Sequence, residues 1–388
     1  MSENDDNMVC EELGGEAFHA DRWLAAIQDR IRTAARLGQA LAIEGAGTRR
    51  GFAGLPVGES LSLQAYRGIV HYEPDDLVIT VRAGTPLAEI DRVLAQRGQM
   101  LGFEPPAPSG ATIGGAVALG WSGPRRPFAG ALRDHLLGVR MLDGMGRELR
   151  FGGQVVKNVA GFDVARLMAG SLGILGPLLE VSLRVIARAP VELTTLLAVS
   201  PRQALQILRS LPSGPGLLSA AVHVDGCLHL RSSGSAHGVR SFLARQGGEL
   251  LDAQASQSFW QAFTQQTHSF FQPPEGDVGD GAARLRLWRV SVRPGSPEMD
   301  LHPVVTSAID WAGALRWVWA PVTAGQEIAG WARAHGGHAS LWAHGTAGER
   351  RDGVFGPLPP AVMALHGRLK HVFDPRGIFN VGRMYPPF

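Results

Sequence analysis

Three glycine-rich clusters constrain this chain more than any other feature of it: residues 44–50 (EGAGTRR), 108–115 (PSGATIGG) and 170–176 (GSLGILG). Each follows or precedes a segment patterned as a strand. Glycine at such places lets backbone amides face an anion with no side chain in the way, and it supplies the positive φ of tight turns. Singly, each cluster reads as a turn or a close packing contact; three within one stretch point to a ligand. Glycine is 50 of 388 residues, well above the usual share of about 7%. The first cluster approaches the dinucleotide fingerprint G-x-G-x-x-G but misses it. Its glycines fall at 45, 47 and 51, so a standard Rossmann site is not expected.

The segments around the clusters alternate between helix and strand. Trp23, Ile27, Ile31 and Ala35 recur every four residues over 21–38, which predicts an amphipathic helix. A short strand over 40–44 runs into Gly45-Ala46-Gly47-Thr48, and strands over 69–73 and 77–82 flank Pro74-Asp75-Asp76. Thr85 and Pro86 occupy cap and first-turn positions of a second helix, with Leu87, Ile90, Val93 and Leu94 inward and Gly98 closing it. Residues 136–142 and 148–151 form a hairpin about Asp143-Gly144-Met145-Gly146, and 178–186 alternates as a strand. After Pro190 the rhythm becomes βαββαβ: strand 194–200, helix 201–211, strands 220–224 and 227–231, then helix and strand. The apolar ending, 374–380 (DPRGIFN), is expected to dock on an earlier domain.

Composition removes several classes of function. The only lysines are Lys157 and Lys370, and neither follows a glycine in phosphate-loop spacing, so nucleoside-triphosphate chemistry of that kind is not expected. The formal charge is +2 with arginines scattered among the acids, which argues against nucleic acid as a partner. Cys10 and Cys227 cannot build an iron–sulfur cluster or a structural zinc site. There is no apolar run of membrane-spanning length, and 2–12 is acidic where a signal peptide would be basic and apolar. The expectation is a cytoplasmic chain with a flexible start over 1–20, held at the inner face of the membrane, if at all, through a complex.

Beyond the glycines, three longer strings carry a family resemblance: Trp121-Ser122-Gly123-Pro124-Arg125-Arg126-Pro127, the run 157–163 (KNVAGFD) and 166–170 (RLMAG). With EGAGT after a strand, ATIGG further on and GSLGILGPLLEVSLRV closing, the chain resembles the PCMH-type FAD-binding domain of the vanillyl-alcohol oxidase family. Within it the chain is most similar to the FAD-binding (E) subunits of bacterial glycolate oxidases. The ending DPRGIFNVGRMY is similar to that family's D-P-x-x-x-F-N-P-G, with Val381 in place of proline. The resemblance implies an α+β fold: a two-subdomain PCMH-type FAD-binding domain over 21–188, an α+β cap over 189–345, and a C-terminal segment, 346–388, docked on the first. It implies that Gly45, Ala46, Gly47 and Thr48 wrap the FAD pyrophosphate, and that Gly110, Thr112, Gly114 and Gly115 lie along the cofactor with Ser122 nearby. Gly170, Gly173 and Gly176 would let the last strands approach closely. Thr48 stands where covalent flavinylation would need histidine or cysteine, so the implied FAD is non-covalent.

Oxidation of a 2-hydroxy acid needs a flavin, a base for the hydroxyl proton and a cation for the carboxylate. No catalytic residue is readable in this sequence. His335, His338 and His344 could hold a metal or supply a base, but no carboxylate sits among them, and polar residues at a strand end is the better reading. An H-x-G-D-G-N string of the kind carried by the paralogous catalytic subunit is missing. The resemblance therefore implies partners: a paralogous FAD-containing catalytic subunit and an iron–sulfur subunit that passes electrons to a quinone, acting on glycolate or a similar small hydroxy acid. Two other readings stay open, a self-sufficient hydroxy-acid or alcohol dehydrogenase and a non-catalytic scaffold. Arg125, Arg126 and Arg133 are candidate anion or partner contacts beside the plainer reading of a solvated face. Trp317 and Trp319, at alternating positions, are expected in the core, although Trp311, Trp331 and Trp342 nearby could anchor an interface.

Overall fold

The computed structural model describes residues 20–153, 163–211, 216–274, 284–343, 354–386 and 388. The expected flexible start, most of the KNVAGFD run, Cys10 and His344 lie outside the described residues.

The first helix, Ala20–Leu37, buries Ile27, Ile31, Ala34 and Ala35, and its Trp23 stacks on Tyr66 at 4.7 Å. Beneath it β1 (Leu41–Glu44) pairs in parallel with β2 (Glu59–Ser62). The C-terminal tail pairs along the other edge of β1. Leu41 N–H donates to Ile378 O at 2.7 Å and Asn380 N–H to Leu41 O at 2.9 Å. Ile378 and Phe379 thereby enter the same small core as Ile31 and Leu61.

A second unit is an antiparallel sheet in the order β3–β4–β8–β6–β7. Its strands are β3 (Ile69–Glu73), β4 (Val78–Arg82), β6 (Leu136–Leu142), β7 (Glu148–Gly152) and β8 (Leu178–Arg184). A separate short ribbon pairs β5 (Gln99–Met100) with β9 (Ile186–Ala187). Helices Leu87–Gln96 and Ile113–Leu119 cover one face, burying Leu87, Ile90, Ile113 and Val117 against Ile79, Val81 and Val181. One capping expectation is corrected: Pro86, at φ −61°, is the N-cap and Leu87 the first helical residue. Thr85 instead accepts from Gly68 N–H at 2.9 Å and donates to Arg82 O at 2.7 Å, which pins the end of β4.

From Val191 onward the chain builds one eight-stranded sheet in the order β13–β10–β12–β11–β15–β16–β14–β17. Its first half is β10 (Val191–Ala198), β11 (Leu218–Val224), β12 (Cys227–Gly234) and β13 (Glu249–Leu250), with helices Pro201–Ser210 and Ala236–Gln246 between strands. This is the expected βαββαβ unit, with spatial order fourth, first, third, second. The other half is β14 (Leu285–Ser291), β15 (Thr306–Asp310), β16 (Leu315–Pro321) and β17 (His338–Ala343), and read from its outer edge it has the same order. The two halves meet where their second strands pair, His223 opposite Ile309. The second half keeps the later helix, Gly325–Ala334, while residues 292–305 cross without one. The sequence rhythm exposes only the first of these units. Trp317 and Trp319 are both buried, as core residues.

Candidate functional site

The end of β1 and the first cluster form one wall of a cleft, and the second cluster forms the other. The lining runs through Glu44, Gly45, Ala46, Gly47, Thr48 and Arg49 on one side and Pro108, Thr112, Gly115 and Leu119 on the other, enclosing about 780 Å³ including the part open to solvent. Gly47 has φ +68°, which turns the loop. Among the described residues, the backbone N–H groups of Ala46, Gly47 and Thr48 have no hydrogen-bond acceptor. Such a row of free amides suits an anion. Gly45 has no room for a side chain: a Cβ there would lie 2.2 Å from Thr112 Oγ1. Thr112 is itself fixed, since it is the N-cap of helix Ile113–Leu119 and accepts from Gly115 N–H at 3.3 Å.

The floor comes from the tail. Asn380 Oδ1 accepts from Ile43 N–H at 2.6 Å, and its Nδ2 donates to Leu172 O at 2.7 Å. Arg383 donates to Gly54 O at 2.8 Å and to the carbonyls of Arg49 and Arg50 at 3.1 Å, clamping the loop from outside. Arg50 Nε donates to Glu44 Oε2 at 2.6 Å, and this bond, with Ser60 and the nearby Arg383 adding to it, holds the Glu44 carboxyl below the usual carboxylate range against the effect of burial.

The sequence-derived site residues divide into two groups. Gly45, Ala46, Gly47, Thr48, Thr112 and Gly115 line the cleft, and Gly110 sits at its rim, where a Cβ would be 3.9 Å from Ala46. The others shape the scaffold. Gly114 N–H donates to Ala83 O at 2.8 Å, and a Cβ on it would strike Ala83. Ser122 Oγ accepts from Leu132 N–H at 3.0 Å and is buried away from the cleft. Gly170 N–H donates to Val117 O, Gly173 leaves room for Asn380 Nδ2, and Gly176 packs on Leu142 O. Thus the third cluster packs behind the helix that starts in the second. Glu44, Arg49, Leu172, Asn380 and Arg383 also line the cleft but were not among the residues singled out from sequence. The docking tail was the readable signal for the last two.

The arginine expectations need correction. Arg125 is neither a solvated face nor a partner contact: its side chain is buried, donating to Glu104 at 2.9 Å and to Glu192 at 2.6 Å. Arg126 lies 4.1 Å over the ring of Trp311, and only Arg133 is exposed, beside Asp134. Of the three candidate histidines, His335 and His338 are among the described residues. His335 Nδ1 bonds to Trp331 O at 2.8 Å, His338 lies in β17, and the described residues contain no His, Cys, Asp or Glu group suited to a metal.

Where the large sheet faces the cleft domain, aromatic rings form the contact. Trp342 of β17 packs on Trp121 at 4.2 Å, Phe52 joins both, and Trp311 Nε1 donates to Gly123 O at 3.0 Å. Within this wall the Arg289 guanidinium lies 4.7 Å from the Trp311 ring centre and 5.4 Å from that of Trp342. Asp310, nearby, accepts from Trp311 N–H at 2.6 Å, and burial pushes its carboxyl up from 3.8 to about 7.

A sheet-and-helix domain with a glycine-walled cleft, followed by an antiparallel cap, defines an FAD-binding protein of PCMH type, and residues 23–152 match the family model described as FAD binding domain. The chain belongs to the family of the glycolate oxidase subunit GlcE of Escherichia coli (strain K12), with 41% identity over 347 residues, 89% of this chain and 92% of that one. It is also 31% identical over 165 residues to the D-2-hydroxyglutarate dehydrogenase of Xanthomonas citri pv. viticola, 42% of this chain and 35% of that one. Among solved structures, an alkyldihydroxyacetonephosphate synthase has the same fold, at TM-score 0.61 and 14% identity, covering 91% of this chain and 74% of the other.

The cleft suits FAD by its own geometry, in the row of free amides at Ala46, Gly47 and Thr48 and in the glycine-lined walls around them. Gly45→Ala displaces Thr112 and its cap, a perturbation of about 1–3 kcal/mol, so FAD affinity is expected to fall about ten- to a hundredfold. The flavin-to-protein ratio after purification and a titration of the stripped protein measure it. Full occupancy would mean that the loop moves aside and Gly45 serves only as a turn.

Proposed function

We propose that this chain is the FAD-binding subunit of a multi-subunit glycolate dehydrogenase, which converts glycolate to glyoxylate and passes electrons through an iron–sulfur partner to a quinone. The observation that carries this reading is the anion cleft in a chain similar along nearly its whole length to a glycolate oxidase subunit. Gly45 to Thr48 hold the cofactor through backbone groups, and Thr112 and Gly115 form the facing wall. Attachment is non-covalent, since no described residue lining the cleft is a histidine, cysteine or tyrosine. The paralogous subunit takes the hydride from the substrate, and FAD bound here would supply a second two-electron centre to the complex. No described helix is long and apolar enough to cross a membrane. The proposed place of the chain is the cytoplasm, with membrane contact made through its partners.

The absorption spectrum of the purified chain, alone and co-expressed with its partner subunits, tests this. Free FAD should be released on denaturation, and glycolate should bleach the flavin only in the co-expressed sample. Bleaching of the isolated chain would make it an enzyme by itself, and absence of flavin from both samples would leave a scaffold.

One observation favours the self-sufficient reading. Arg289 and Asp310 place a cation and a carboxyl that titrates near neutrality in one aromatic wall, the two groups that hydroxy-acid oxidation requires of a protein. Asp310 also makes a stability prediction with a definite sign. Its folded pKa is raised from 3.8 to about 7, so the folded state binds more protons in that window and stability falls as pH rises through it. Asp310→Asn is therefore expected to flatten the pH dependence of melting and to melt higher than the parent at pH 8. Equal melting points at pH 8 would mean the carboxyl ionises without penalty.

A further inference from the structure

We infer that Arg49 binds the phosphates of the cofactor and supplies the full positive charge that the glycine loop lacks. This rests on the cleft being the FAD site and assigns a charged side chain to what is otherwise a backbone cradle.

The cleft has four charged side chains in its lining: Glu44, Arg49, Arg50 and Arg383. Glu44 and Arg50 neutralise each other in a two-pronged ion pair. Arg383 is forked onto the carbonyls of Arg49, Arg50 and Gly54. Arg49 differs from all of these. Its Nε is buried and has no hydrogen-bond partner, and burial is the only influence on its pKa, which it lowers. Its guanidinium carbon lies 5.3 Å from the centre of the Trp121 ring.

A buried guanidinium N–H without an acceptor is costly, and such groups persist where an anion completes them. Arg49 directly follows Thr48, so it shares the cleft with the unpaired amides of Ala46, Gly47 and Thr48. Amides at a turn offer partial charges, whereas a diphosphate brings two formal negative charges. A planar guanidinium binds phosphate oxygens in a fork, which a lysine ammonium cannot reproduce. The same residue therefore has opposite effects in the two states: it burdens the flavin-free protein and stabilises the loaded one.

The test uses the full chain, stripped of flavin and reconstituted. For Arg49→Gln, the FAD dissociation constant is expected to rise about ten- to a hundredfold, with Arg49→Lys recovering only part of the loss. The flavin-free Arg49→Gln protein should melt no lower than the flavin-free parent, while the FAD-saturated variant melts lower than its parent. The midpoint potential of bound FAD should be unchanged. An unaltered dissociation constant would overturn the assignment. So would a shifted potential with unaltered affinity, which would put the guanidinium at the flavin ring, and so would equal destabilisation with and without FAD, which would make Arg49 merely structural. Failure of the parent chain to bind FAD would instead refute the cofactor site itself.

Discussion

Glu104→Gln is expected to cost about 3–5 kcal/mol of unfolding free energy. Glu104 sits on the cleft domain at a positive φ of 43°, a backbone state that side chains other than glycine adopt only when held there. Its carboxylate accepts from Arg125 Nε at 2.9 Å and takes both oxygens to Arg231 Nη2 at 2.8 Å, and Arg231 belongs to β12 of the cap. Arg125 and Arg231 also approach the partly exposed Glu192 of β10, so four charges close a square across the domain boundary with Glu104 and the two arginines buried in it. Assembling such a group gains little over an apolar contact, but removing its most buried member leaves buried charges under-compensated. Glutamine keeps the shape but leaves two buried guanidiniums to share the partly exposed Glu192 alone.

The pH dependence of this square has the opposite sign to that of Asp310. Burial by itself would raise the Glu104 pKa, but Arg231 and Arg125 outweigh it and hold the group below 4.5. Its stabilisation is thus present above the ordinary carboxylate pKa and lost as pH falls through the folded value. Urea unfolding followed from pH 7 downward should show a steeper acid loss for the parent than for Glu104→Gln. A Glu104→Gln protein within about 1 kcal/mol of the parent at pH 7 would mean that the square is no more than a solvated contact.

What could be read from sequence follows from how local each signal is. The strand running into Gly45-Ala46-Gly47-Thr48, the Asp143–Gly146 hairpin and the docking tail are short-range patterns, and the structure places them where the pattern says. The glycine clusters announce close approach without saying what approaches: at Gly45 it is the Thr112 hydroxyl, at Gly114 the Ala83 backbone, at Gly176 the Leu142 carbonyl. The charge square was unreadable because Glu104 and Arg231 lie 127 residues apart, one in a loop of the cleft domain and the other in β12 of the cap. Arg125 on its own looks like any surface arginine. The repeat within the cap was hidden because its second copy has lost a helix and filled its strands with tryptophan, so no period survives.

Lys370→Met is expected to be nearly as damaging as the loss of Glu104, at about 3–5 kcal/mol, and to carry the damage into the cofactor site. Lys370 is one of two lysines in the chain and is buried in helix Pro360–Phe373. Its ammonium donates to Asp374 Oδ2 at 2.7 Å, to Phe379 O at 2.7 Å and to Ile174 O at 2.8 Å. Asp374 Oδ2 also accepts from Phe379 N–H at 2.8 Å, so one ion pair folds the tail back on itself and ties it to the third glycine cluster. Burial keeps the ammonium below its ordinary pKa even beside that carboxylate, a measure of how little water reaches it. Methionine fills the volume but leaves the fully buried Asp374 carboxylate without its cation. Because the same tail presents Asn380 to Ile43 and Leu172, slackening it loosens the floor of the cleft, and FAD affinity should fall together with stability. The double variant Lys370→Met/Asp374→Asn removes the stranded charge and is expected to regain most of the stability but not all of the affinity, because the tail keeps its packing and loses its tether. Denaturant melts and FAD titrations of the single and double variants measure this, and a double variant no more stable than Lys370→Met would locate the loss in the hydrogen bonds to Phe379 and Ile174 rather than in the unpaired carboxylate.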